Sequence, residues 1–179
     1  LLNDRLSGKS MDNRSGIASL VEILKELQKL RHDDDVYVVA TVQEELGLIG
    51  AFCVTYHIEA DLGIVIDVCH GDMPDCPSDE TFPLGRGTAV AVGPILNRKH
   101  TKACIRLAKD ERIPYQIDPE AGDTGTEAAV HAVAREGIPV ILLSIPCKYM
   151  HTPVETVSVD DIVATGKLAA RYIAERERD

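Results

Sequence analysis

Apolar runs of strand length alternate with stretches of helical spacing along nearly the whole chain, and this alternation limits the fold more than any other feature. Residues 12–30 carry Ile17, Leu20, Val21, Leu24, Leu27 and Leu30 at helical spacing, with Ser10 or Asp12 as the N-cap. Strand 36–43 follows, then helix 47–58 and strand 62–67. Residues 69–84 hold three prolines and several acids and read as a loop. Strand 88–92, helix 99–110, a short strand 114–118, helix 125–136, strand 138–145 and helix 159–176 complete the order. Such an order predicts an α/β fold, a three-layer α/β/α domain with a mainly parallel mixed sheet. No repeat, low-complexity tract or linker divides residues 1–179, so they read as one domain.

In sheets of this kind ligands gather outside the C-terminal ends of the strands. Glu44 and Glu45 close the run Val36-Tyr-Val-Val-Ala-Thr-Val-Gln43. A central strand seldom ends in two acids, because each needs water, a cation or a proton. Asp67 ends the apolar run that starts at Leu62, His151 follows the run 139–145 by a short loop, and Asp12 opens the first long helix. Carboxylates and an imidazole from four segments suit a pair of divalent ions better than a single catalytic acid. A pair of ions lowers the pKa of a bridging water and polarises a carbonyl. Adjacent glutamates then allow one to bind metal while the other stays free as a base.

Each of these residues has a plainer reading on its own. Glu44 and Glu45 suit an exposed strand end, Asp12 a helix cap, Asp67 the start of a loop, and His151 a packed loop. Their shared placement at one sheet edge favours the metal reading. Gly85-Arg-Gly87 has too few glycines at the right spacing for a phosphate loop. Asp67-Val-Cys69-His70-Gly-Asp72 could form a separate metal cluster, but His70 and Asp72 suit the rim of the site better. Cys69 paired with His70 is a poor nucleophile, since neighbours on a strand point apart. His131 reads as structural or exposed, and His32, His57 and His100 fall on helix ends or faces without an acidic pattern.

A formal net charge of −10 argues against nucleic acid or an anionic membrane as the main partner and agrees with cation binding. No apolar run is long enough to span a bilayer. Five scattered cysteines without a CxxC pair fit a reducing, cytoplasmic setting. The chain starts Leu1-Leu2 without an initiator Met, so its start reads as a point inside a longer protein.

Several segments occur in an order that resembles a known family: Asp12-Asn-Arg-Ser-Gly16, Thr41-Val-Gln-Glu-Glu-Leu-Gly47 with Gly50-Ala51, Ile66-Asp-Val68, Gly85-Arg-Gly87, Gly125-Thr126, and Ser144-Ile-Pro-Cys-Lys-Tyr-Met-His-Thr-Pro153. They resemble the tetrahedral (glutamyl) aminopeptidases, di-metal peptidases with an older name as cellulase M-type endoglucanases. The resemblance implies a zinc-peptidase-like domain and two divalent ions, Zn, Co or Mn. It implies Asp12 as the bridging ligand and Glu45 and His151 as ligands of the first ion. Asp67 would be a ligand of the second ion, and Glu44 the general base. It also implies a cis peptide between Asp12 and Asn13. The family's upstream HxD histidine and its inserted dimerisation domain have no counterpart here, so the chain would be the later part of the catalytic domain. Glu127 stands where many relatives carry Asp.

The resulting expectation is a metallo-aminopeptidase. It would hydrolyse N-terminal residues of peptides through a water bridging two metals, in a homo-oligomer of dimers that reaches a dodecamer in the family. The fragment alone would be inactive if the missing ligand is not supplied. Three rivals stand beside this reading: a metal-free glycoside hydrolase with two spaced carboxyls, a non-enzymatic subunit, and a deacylase or carboxypeptidase of the same fold.

Overall fold

A six-stranded mixed sheet forms the middle layer of the structure, a computed structural model that describes residues 1–74 and 76–176. Its strands are β1 (Arg5–Gly8), β2 (Gly63–His70), β3 (Thr88–Val92), β4 (Tyr115–Pro119), β5 (Val140–Lys148) and β6 (Glu155–Ser158). The helices are α1 (Met11–Leu27), α2 (Ile49–His57), α3 (Arg98–Asp110), α4 (Ala128–Val133) and α5 (Val159–Glu175). No helix among the described residues is long and apolar enough to cross a membrane.

β5 is the spine of the sheet. All of its residues but Lys148 are apolar or small, and its first eight are buried, as expected of a strand covered on both faces. β2 runs parallel along one edge of it, from Gly63 opposite Val140 to His70 opposite Cys147. On the other edge β3 pairs antiparallel at Leu143 and Ser144, and β6 pairs antiparallel at Cys147 and Lys148. β4 lies parallel to β3, and β1 closes the far side antiparallel to β6. The two parallel pairings are the longest, which matches the expected mainly parallel mixed sheet. β1 and β6 were not foreseen; four residues each are too short to show a period.

Strand alternation splits the core into two apolar layers. Ile64, Ile66, Val90, Ile141 and Leu143 face α1, α3 and α5, meeting Ile23, Leu27, Cys104, Leu168 and Tyr172. Val65, Ala91, Val140 and Leu142 face the other way, onto Ala128 and Ala132 of α4. Each fully buried Leu or Ile here contributes about 1.5–3 kcal/mol relative to exposure. The histidine and tyrosine within this core satisfy one another: Nδ1 of His100 and the hydroxyl of Tyr172 are 2.7 Å apart.

The expected strand 36–43 does not form. This segment is irregular, and Tyr37, Val38 and Val42 are exposed. A cavity of about 820 Å³ separates it from the outer edge of β2, with Val36–Ala40 on one wall and Leu62–Asp67 on the other. Strand propensity is realised only through ladder pairing, and no strand among the described residues pairs with this segment. Other limits also moved. α1 ends at Leu27, α4 keeps only six residues of the expected twelve, and Ser10 takes the N-cap position without a side-chain bond. Asp12 is therefore not a cap.

The Gly85–Gly87 loop carries an anion of its own. Both backbone N–H groups donate to the buried carboxylate of Asp161, each at 2.7 Å. Both glycines have positive φ, and a Cβ at Gly87 would strike the backbone carbonyl of Pro114.

Candidate metal centre

Asp12, Glu45 and His151 arrive at one place from three different kinds of backbone. Asp12 lies just inside α1 but with non-helical angles (φ −80°, ψ 105°), and the peptide joining it to Asn13 is cis, as the resemblance implied. Glu45 sits in a single 3-10 turn, Glu44–Leu46, whose C-cap Gly47 has φ 102°. His151 follows β5 in a tight turn at φ 62°, a left-handed conformation uncommon outside glycine but one that histidine adopts more readily than most residues.

The side chains meet closely. Nε2 of His151 lies 3.2 Å from Oδ2 of Asp12 and 3.4 Å from Oε2 of Glu45. One donor atom from each of the three lies within 4.8 Å of the others, and this is the one such group of three among the described residues. Two oxygens and a nitrogen at that spacing can hold a divalent ion of the Zn, Co or Mn type. The electrostatics agree. Burial and then the neighbouring Glu45 carboxylate raise the Asp12 carboxyl to about 6. A cation at the centre relieves that repulsion.

Asp67 is positioned differently from the sequence expectation. β2 continues to His70, so Asp67 lies three residues inside the strand rather than at its end, because all eight residues pair with β5. It is 7% exposed, and burial raises its carboxyl to about 7. Its Oδ1 accepts the Val68 N–H at 2.9 Å and a hydrogen from the Asn13 amide at 3.1 Å. The Asn13 amide nitrogen also donates to the carbonyl of Ile66, and its oxygen accepts the N–H of Gly16 at 2.8 Å. A Cβ at Gly16 would collide with the Asn13 amide. The segment Asp12-Asn-Arg-Ser-Gly16 thus ties the first helix to Asp67. The Asp67 carboxylate lines the same cavity of about 310 Å³ as Asp12, Glu44, Glu45 and His151.

Glu44 is half-buried beside Glu45. Burial, then Glu45 and Glu127, raise its carboxyl. That is the direction a group needs if it is to accept a proton near neutral pH.

Two further residues shape the site. Glu155, 3% exposed on β6, accepts the backbone N–H of Asp12 with one oxygen and that of His151 with the other. The sequence signal for it was an acid at an inward position of a short strand just after His151, too short a strand to be read. Glu127 has a buried oxygen without a hydrogen bond, and its charge acts on both Asp67 and Glu44.

The lesser candidates do not join this group. Asp72 accepts a hydrogen bond from Thr81 within its own loop, while His70 lines the rim of the 310 Å³ cavity. Burial pushes the Cys69 thiol well up, so it is no nucleophile. Nδ1 of His131 is 3.0 Å from the carbonyl of Glu127, and its ring packs against Gly63.

Comparison with known proteins places the chain in a family. A lysyl aminopeptidase from Pyrococcus furiosus is 35% identical over 175 residues, covering 98% of this chain and 50% of the relative. The structure of aminopeptidase APDkam598 from the archaeon Desulfurococcus kamchatkensis superimposes with a TM-score of 0.87 at 38% identity, covering 98% of this chain and 50% of that one. The TET1 peptidase of Pyrococcus horikoshii, which can assemble into a tetrahedron or a large octahedral shell, matches at TM-score 0.78 and 26% identity over 99% of this chain and 52% of its own. The chain spans about half the length of these relatives. The model of the M42 glutamyl aminopeptidases matches residues 1–168, and the chain belongs to that family.

Proposed function

We propose that residues 1–179 form the catalytic α/β unit of a metal-dependent aminopeptidase that removes N-terminal residues from peptides. One observation carries this reading: the donor atoms of Asp12, Glu45 and His151 meet within 4.8 Å, with Glu44 beside them as an acid left free. Asp12, Glu45 and His151 would hold one divalent ion. Asp12 and Asp67 would hold a second, which needs a further ligand for tight binding. Such ions lower the pKa of a water and polarise the peptide carbonyl.

The chain's own residues supply the rest. Glu44 takes the proton of the attacking water and passes it to the departing amine, a role its raised pKa suits. Asn13 orients Asp67, and Glu155 fixes the backbones that present Asp12 and His151. The acidic surroundings favour a substrate with a free ammonium group. The assembly of the TET1 relative supports a homo-oligomer for the whole protein. Five free cysteines support a reducing compartment such as the cytoplasm.

Exhaustive chelation and dialysis test the reading. Hydrolysis of aminoacyl p-nitroanilides by the full protein should vanish and return with Zn, Co or Mn. p-Nitroanilide hydrolysis that survives chelation would overturn the metal dependence, and chelator-resistant cleavage of a β-glucan with no p-nitroanilide hydrolysis would favour a metal-free glycosidase-type pair of carboxyls.

A further inference from the structure

The outer edge of β2 faces a segment that has the makings of a strand. Among the described residues β2 pairs with β5 alone. Gly63 donates its N–H to Pro139 on the β5 side, so strand alternation turns the backbone groups of Ile64 and Ile66 to the outer edge. The carbonyl of Ile66 accepts a hydrogen from the Asn13 amide, which marks where the open edge ends. Across the cavity of about 820 Å³ the run Val36–Ala40 stands opposite Leu62–Ile66.

The segment carries what an added strand needs. In an extended run Val36, Val38 and Val42 fall on one face and Tyr37 and Val39 on the other, so both faces are apolar, as in a strand covered on both sides. Ile17 and Leu20 of α1, with Ile58 and Ile138, line the cavity and offer apolar cover. As the segment stands, Tyr37 and Val42 are each 66% exposed. Both of its ends are tied. Arg176 holds Asp34 through two bonds of 3.1 Å, and the Gly50 N–H donates to the Val42 carbonyl at 3.0 Å. Helix α2 joins the segment to β2, and a strand–helix–strand order makes the pairing parallel.

We propose that segment 36–43 is a strap that closes onto the outer edge of β2 as an added parallel strand when a divalent ion occupies the centre. The inference rests on the metal reading of the centre and names a regulation of that same site. Glu44 and Glu45 follow the strap directly, and Glu45, its side chain 56% exposed, reaches His151 from a single 3-10 turn. An ion that holds Glu45 pins the end of the strap, and pairing then starts from a fixed point. The ladder in turn holds Glu45 among the ligands, since coupling between two such events is reciprocal. Paired strands lie about 4.8 Å apart, so closure fills the cavity beside Asp67 with side chains of the strap.

Hydrogen exchange of the full protein, metal-stripped and then zinc-loaded, tests the strap. At short times, before global unfolding contributes, zinc should slow exchange of the amides of residues 37–42 by about tenfold or more. Val38→Pro and Val39→Pro give a second measure. Neighbouring residues turn their N–H groups to opposite sides, and an edge strand accepts proline only on its outer side. One variant should raise the zinc Kd about tenfold, the range of a lost backbone hydrogen bond, and the other by less than about twofold. If a variant fails to fold, the exchange of the wild type decides alone. Equal exchange with and without zinc, slow or fast, overturns the inference. Equal Kd values for the two variants make the segment a packing element and overturn it too. In both cases zinc-dependent p-nitroanilide hydrolysis leaves the aminopeptidase reading standing. A wild-type protein that binds no zinc overturns both.

Discussion

The carboxylate of Glu155 accepts the backbone N–H of Asp12 at 3.0 Å, a contact between residues 143 positions apart. Its other oxygen accepts the N–H of His151 at 2.8 Å. A carboxylate can accept both bonds, but an amide offers one acceptor and turns a donor toward the second N–H. Glu155→Gln should therefore cost about 1.5–3 kcal/mol of stability, the range for a hydrogen bond to a charged group. It should also weaken zinc binding, because the two segments that carry the candidate ligands Asp12 and His151 lose their common anchor. Urea melts and a zinc titration check this. Unchanged zinc affinity would show that Asp12 and His151 are held by other means.

Glu44 and Glu45 are neighbours whose variants should fail differently. Glu44→Gln should keep bound metal and lose about 10²–10⁴ in rate, as expected for a lost general base. Glu45→Gln should lose metal too, since its Oε2 lies 3.4 Å from the His151 nitrogen within the candidate ligand group. Metal analysis after gel filtration separates them. Equal metal loss in both would reverse or abolish the assignment.

Much of this was readable from residues alone, and the failures have physical causes. The alternation of runs gave the layers, because β5 and β2 are long enough to carry a pattern. Asp12, Glu45 and His151 were legible as a group only through their common place in the order of elements. The segment 36–43 misled because its residues favour a strand while no strand among the described residues pairs with it. Asp67 was misplaced by three residues because the prolines and acids of 69–84 make the chain read as loop from Cys69 on, whereas Val68, Cys69 and His70 continue the pairing with β5. Glu155 was invisible beside the candidate site, since what singles it out is burial, which a lone acid in a short strand does not announce.

Asp161 serves as a structural contrast. It is fully buried, and its two oxygens take the Gly85 and Gly87 N–H groups at 2.7 Å. Asp161→Ala leaves two buried donors unpaired, at about 1–3 kcal/mol each. The melting temperature should fall by several degrees, while zinc bound per folded molecule stays as in the wild type. A loss of zinc that exceeds the loss of folded protein would couple this loop to the centre.

The pH dependence of the metal-stripped protein follows from Asp67 and Asp12. Their carboxyls lie at about 7 and about 6 in the folded protein, against 3.8 ordinarily. Between about pH 4 and 7 the folded state then holds more protons than the unfolded one, so the slope of stability with pH is negative. Below about pH 4 both states are protonated and nothing is lost. Above about pH 7 both are ionised, and the full cost of the buried charge is present. For Asp67 that cost is at most about 4 kcal/mol. Urea melts in a chelator should show stability falling from pH 5 to pH 8, and Asp67→Asn should flatten the fall. Zinc should reverse it, because the ion binds the deprotonated ligands and its stabilisation grows as protons leave. A metal-stripped protein that gains stability from pH 5 to pH 8, with Asp67→Asn showing the same gain, would mean that Asp67 is already ionised and satisfied by Asn13 and Val68 alone.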